Sequence, residues 1–124
     1  MFYSIISKNK GSFISSKVRI ASNFWLRFKG LMFDRTIDEK AAMVFYNAPA
    51  IHTSFMRFSI DIVFLDKNNK VIKICQAVKP WKIVFCRHSA LAIELPAHRA
   101  KERSLELGDT LQITVSESPK NKRI

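Results

Sequence analysis

The chain has 124 residues, 48% of them hydrophobic and 11% aromatic, with 21 Lys+Arg against 10 Asp+Glu for a formal net charge of +11. A disordered chain would be poorer in apolar residues, and a small disulfide scaffold would hold more than two cysteines. One domain of this length buries roughly two-thirds of its unfolded surface around a single core.

The opening MFYSIISKNKGSF turns polar after Ile6, too early for the apolar segment of about 7–15 residues that a secretory signal needs. The longest apolar run, residues 41–46, is far short of the roughly 20 needed for a membrane helix. The expectation is a cytoplasmic protein with no transmembrane segment. Residues 1–33 contain six basic residues and no acid, which is also the composition of an organellar transit peptide. Cys75 and Cys86 suit a reducing compartment, where cysteine serves as a small hydrophobe rather than a disulfide half.

In residues 17–21, Lys17 and Arg19 alternate with Val18 and Ile20, the period of a half-buried strand with a basic outer face. Ser22 is a candidate N-cap, Phe24, Phe28 and Leu31 follow at helical spacing, and Gly30 can supply the left-handed conformation that ends a helix, which together predict one short helix near residues 23–29. Runs at 43–46, 53–58, 60–66 and 71–78 read as strands, with Asn68-Asn69 forming a hairpin turn because Asn tolerates positive φ. Further strands are expected at 82–86, 91–95 and 110–115, the last entered through Gly108-Asp109. The sum is a mainly β domain, barrel- or sandwich-like and mostly antiparallel, with one short helix. Residues 1–117 are expected to form this single unit, and residues 118–124 a short, mobile basic tail.

The charge is not uniform. Residues 67–93 carry Lys67, Lys70, Lys73, Lys79, Lys82 and Arg87 with no acid, and with residues 1–33 they account for the whole positive excess. Such segments ordinarily form a solvated surface, and alternatively an anion-binding face for nucleic acid or phospholipid headgroups. Trp81 lies among these lysines, where it could stack on bases, although no recognised RNA-binding or zinc-finger signature is present.

The densest chemistry lies in residues 52–66. In a strand, Asp61, Val63 and Leu65 share one face while Ile60, Ile62 and Phe64 share the other, so both faces are expected to be buried. Asp61 therefore needs a cation or several donors. It serves either as a carboxylate tying a loop through backbone N–H groups or as a site acid beside His52 and Arg57. Arg57 lies four residues earlier, about 13 Å along an extended strand, so a contact between the two requires a bend near Ser59. His52 is either a structural imidazole or an acid–base or ligand-binding group. Guanidinium suits carboxylate and phosphate recognition, which favours Arg57 as a binding residue. His52, His88 and His98 lack metal-ligand spacing, no serine or cysteine carries a nucleophile signature, and three glycines do not build a phosphate loop. No metal or cofactor is expected.

The order Arg27-Phe-Lys-Gly30-Leu31-Met32, His52-Thr-x-x-Met56-Arg57-Phe-x-Ile-Asp61-Ile-Val-Phe-Leu-Asp66, Lys79-Pro80-Trp81-Lys82, Glu94-Leu95-Pro96-Ala97 and Leu107-Gly108-Asp109 resembles the family called domain of unknown function 192. The resemblance runs from about residue 17 to residue 114 and implies a compact, mostly β domain, with no established biochemical activity. It also implies that most of residues 1–33 belong to the domain rather than to a transit peptide. Two positions depart from the family pattern. Ser59 stands where members usually have proline, which should loosen the bend before Asp61, and His98 stands where they usually have glycine, at an expected turn.

The reading that follows is a non-enzymatic binding module. Its site, near His52, Thr53, Met56, Arg57 and Asp61 and edged by Trp81 and Lys82, would take a small anionic ligand or a peptide end. The alternatives are electrostatic nucleic-acid binding through the basic segments and, third, an enzyme using His52 and Asp61 as an acid–base pair.

Overall fold

The computed structural model describes residues 3–21 and 39–115. The helix expected near residues 23–29 and the tail expected at 118–124 lie outside the described residues.

Nine strands are described: β1 (Tyr3–Ser7), β2 (Phe13–Ile20), β3 (Ala41–Tyr46), β4 (Ala50–His52), β5 (Ile60–Leu65), β6 (Val71–Val78), β7 (Ile83–Phe85), β8 (Leu91–Pro96) and β9 (Leu111–Val115). A single-turn helix, α1 (Arg99–Glu102), follows β8. Seven strands form one sheet in the order β6-β5-β8-β3-β2-β1-β9, while β4 and β7 pair separately. All pairings are antiparallel except β2 with β3, whose parallel register runs from Lys17 opposite Ala41 to Ile20 opposite Val44. A parallel pair needs a long connection, and the end of β2 at Ile20 lies well before the start of β3 at Ala41 in the chain.

The two edges of the large sheet meet. Lys70 and Thr110 form an antiparallel bridge, the Val71 N–H donates to the Asp109 carbonyl at 2.8 Å, and the Leu111 N–H donates to the Asn69 carbonyl at 2.9 Å. The sheet thus closes into a barrel, the architecture that removes exposed strand edges.

Closure explains why two apolar clusters exist. Ile5, Ile14, Val18, Val44, Val63, Leu65, Ile93, Leu95 and Leu111 form the cluster inside the barrel, plugged by Ala100 and Leu105 beyond β8. The alternate residues Met43, Phe45, Ile60, Ile62, Phe64 and Ala92 point outward and are buried by Ile51 of β4, by Met56, and by Val84 of β7. β4, β7 and their connecting loops are therefore a flap over the outside of the barrel. All six residues of β5 and all six of β8 are buried, as two-sided covering requires.

Most predicted strands are present, and the 66–70 turn joins β5 to β6 with Asn69 at φ 63°. Asp66 Oδ1 accepts the N–H groups of Asn68 and Lys70 at 2.8 and 3.0 Å and so fixes that turn. One expected strand is corrected: residues 53–58 form a loop, with turn and bend conformation at Ser54, Phe55, Arg57 and Phe58. The Thr53 hydroxyl takes backbone partners across the flap, and Phe55 adopts φ 64°, so neither residue continues a ladder. The bend anticipated before Asp61 falls at Arg57–Phe58. The strands β1 and β4 and the helix α1 were not among the expected elements. No helix among the described residues is long and apolar enough to cross a membrane.

Candidate functional site

Asp61 shares strand parity with Val63 and Leu65, so its carboxylate points into the barrel end and is 0% exposed. Its Oδ1 accepts the N–H of Ala77 at 2.9 Å and of His98 at 3.0 Å, and its Oδ2 accepts the N–H of Ala100 at 2.9 Å. These donors are displaced from regular pairing. Ala77 has φ 49° where the β5–β6 register shifts, and His98 has φ 71° before α1. Of the two readings open for Asp61, the geometry is that of a carboxylate tying loops through backbone N–H groups. Among the described residues its hydrogen-bond partners are main-chain N–H groups, and they do not include Arg57 or His52.

The other candidate residues belong to the flap, on the opposite side of the β5 backbone. Thr53 is buried at its centre. Its N–H donates to the Lys82 carbonyl at 2.8 Å, its Oγ1 donates to the Lys79 carbonyl at 2.7 Å, and that oxygen accepts the Lys82 N–H at 2.9 Å. The Thr53 carbonyl accepts from Trp81 at 3.0 Å and from Met56 at 3.2 Å. One threonine thus holds the 53–56 and 79–82 loops together. Met56 is buried against the outer cluster, His52 is half-buried at the end of β4, and Arg57 and Lys82 are exposed.

This clamp presents two aromatic rings to solvent. Phe55, 53% exposed, and Trp81, 63% exposed, meet edge to face with centroids 4.6 Å apart. Both backbones are left-handed, at φ 64° and 68°. Ile83 and Phe85 extend the exposed apolar surface along β7, and the exposed Lys79, Lys82 and Arg57 are close in sequence to Trp81 and Phe55. Lys73 Nζ donates to the Phe85 carbonyl at 2.7 Å, fastening β7 to β6. Cys75 and Cys86 are free thiols beneath the flap, and burial pushes the Cys75 thiol above its ordinary range.

The structure therefore gathers Thr53, Trp81 and Lys82 tightly, places His52, Met56 and Arg57 on the same flap, and sets Asp61 on the far side of the sheet. Sequence reasoning missed Phe55, whose contact with Trp81 spans 26 positions and leaves no local signal. It also passed over Glu94, buried on the outward face of β8 opposite Met43 and Ile62. The carboxylate in the alternating run Leu91-Ala-Ile-Glu94-Leu95 was the available cue.

The sequence profile of the family DUF192, described as "Uncharacterized ACR", matches residues 5–113. A UPF0127 protein of Thermococcus sibiricus is 34% identical over 121 residues, covering 91% of this chain and 76% of that protein. A UPF0127 protein of Pyrococcus furiosus is 33% identical over 116 residues, covering 87% and 96% of the two chains. Among solved structures, a proposed transcription regulator from Sinorhizobium meliloti superimposes with a TM-score of 0.77 at 21% identity, over 89% of this chain and 90% of that one. A protein of unknown function from Novosphingobium aromaticivorans gives 0.76 at 16% identity, over 89% and 82%. At these identities the two structures share the fold.

Proposed function

The chain belongs to the uncharacterised DUF192 family, and from that premise we propose that it is a non-enzymatic binding module whose flap takes a carboxylate carried beside an apolar group, as at a peptide end or in a small organic acid. The observation that carries this reading is the Phe55–Trp81 pair. Two bulky residues in left-handed backbone are costly, on the order of 1–3 kcal/mol each, and such strain concentrates where ligands are held. The Thr53 clamp keeps the rings in place, and the exposed Arg57, Lys79 and Lys82 supply donors for an anion.

The test is an amide and indole chemical-shift titration with the acetylated tripeptide Gly-Gly-Leu bearing a free C-terminal carboxylate, with its C-terminal amide, and with isovalerate. The acid peptide should shift the Trp81 indole and the Arg57 and Lys82 amides, and K82A should weaken it. An isovalerate response of equal strength would assign the site to small acids, and a weaker one to peptide ends. Equal response to the amidated peptide, or no shift at Trp81 with either acid, would defeat the reading. A labelled oligonucleotide that alone binds here, with steep salt dependence, would favour the nucleic-acid alternative.

A further inference from the structure

A second basic site lies away from the flap. Phe13, Ser15 and Ser16 of β2, Lys40 just before β3, and Arg99 and Arg103 around α1 line an open cavity of about 250 Å³. Among the described residues its lining includes Lys40, Arg99 and Arg103 and no carboxylate. Arg99 is only 7% exposed, and its Nε donates to the Ile14 carbonyl at 3.0 Å, which fixes the guanidinium in place. The sole carboxylate near it among the described residues is Glu102, whose Oε1 is 3.8 Å from Nη1 and whose side chain is 60% exposed. A guanidinium this buried is costly unless an anion faces it, and a loose, solvent-screened partner neutralises it poorly. Arg99 and the exposed Arg103 bring two guanidinium groups to this one lining, a donor set suited to an anion.

The cavity also has an apolar wall. The Phe13 ring is half exposed, and the Ser15 hydroxyl donates to the Lys40 carbonyl, which fastens the residues preceding β3 to β2. We propose that this cavity binds a small phosphate monoester carrying a planar ring, of about mononucleotide size. Arg99 and Arg103 hold the phosphate, which is close to dianionic at neutral pH, and the ring lies against Phe13. The site shares no residue with the flap and does not depend on the reading given to it.

Chemical-shift titrations with AMP, adenosine and inorganic phosphate test this in low-salt buffer. AMP should shift the Ser15, Ser16 and Arg103 amides to saturation while the Trp81 indole stays unmoved. Adenosine should leave those amides unchanged, and phosphate should bind about tenfold more weakly than AMP. R103A, at an exposed position, should weaken AMP about tenfold. F13A should bring AMP down to the level of phosphate without changing phosphate binding. Absence of a saturable AMP response, unaltered affinity in R103A, equal affinities for AMP and phosphate, or a response to oligonucleotides alone would each overturn the proposal. None of these results bears on the flap, which is read at Trp81.

Discussion

Asp61 accepts the N–H of His98 at 3.0 Å, and His98 stands at φ 71°, so a carboxylate inside the barrel end holds the left-handed residue from which α1 begins. The same carboxylate takes the N–H of Ala100 and of Ala77, joining β5, β6 and the segment after β8 at one point.

Asp61→Asn keeps the shape but replaces one accepting oxygen with a donor that faces a backbone N–H. The loss should be about 3 kcal/mol of unfolding free energy, in the range for charge-assisted bonds left unmade in a buried site. Urea unfolding measures it. Wild-type stability in this variant would show that the three hydrogen bonds are not what Asp61 contributes.

His98→Gly relieves a side chain from a backbone region that L-residues enter at a cost of roughly 1–2 kcal/mol, against an unfolded-state entropy penalty for glycine of about 0.5–1 kcal/mol. His98 is exposed, so little packing is lost. The variant should be more stable by about 0.5 kcal/mol, read as a higher thermal midpoint. A lower midpoint would mean that the imidazole makes a contribution larger than the strain.

Acid sensitivity should reside partly in the barrel seam. Burial pushes the Asp109 carboxyl up, but hydrogen bonds from Asn9, the Glu106 N–H and Lys10, with the charge of Lys10, outweigh it and hold the group below its ordinary value. A carboxylate depressed in the folded state contributes stability above its unfolded pKa of about 3.9, and that contribution is lost as pH falls through the lower folded value. Lys10 is shifted the other way, raised chiefly by its bond to Glu106, so its contribution is complete at neutral pH and fades only as pH rises through a value above 10.5. Asp109→Asn should therefore be less stable than wild type at pH 7, and the gap should narrow by pH 2.5. A gap of the same size at both pH values would remove the carboxylate's charge as its source.

The β class and its strands were legible where neighbouring residues carry the signal, while the choice between barrel and sandwich was not. The residues of 60–65 announced a strand buried on both sides, and Asn68-Asn69 announced the hairpin turn after it. Residues 53–58 misled because Phe55 and Phe58 give the composition of a strand, while Thr53 satisfies its hydrogen bonds across the flap, 26 and 29 positions away. The candidate site was legible in part for the same reason. Thr53, Trp81 and Lys82 meet through hydrogen bonds between two loops, but parity alone did not say that Asp61 would face the barrel interior while the flap covered the other side.

The sequence by itself determined the β class, most of the strands and the buried character of Asp61, because each follows from a period of two, while the turn expected at His98 came from the family resemblance. Only the tertiary structure decided which groups meet. The donors to Asp61 lie 16, 37 and 39 positions away, the barrel closes through Lys70 and Thr110, and Phe13, Lys40, Arg99 and Arg103 assemble one basic cavity from three parts of the chain. Strand periodicity says which face a side chain takes. Which strand or loop covers that face is set by chain closure over tens of residues, and that is where the chemistry of both proposed sites is made.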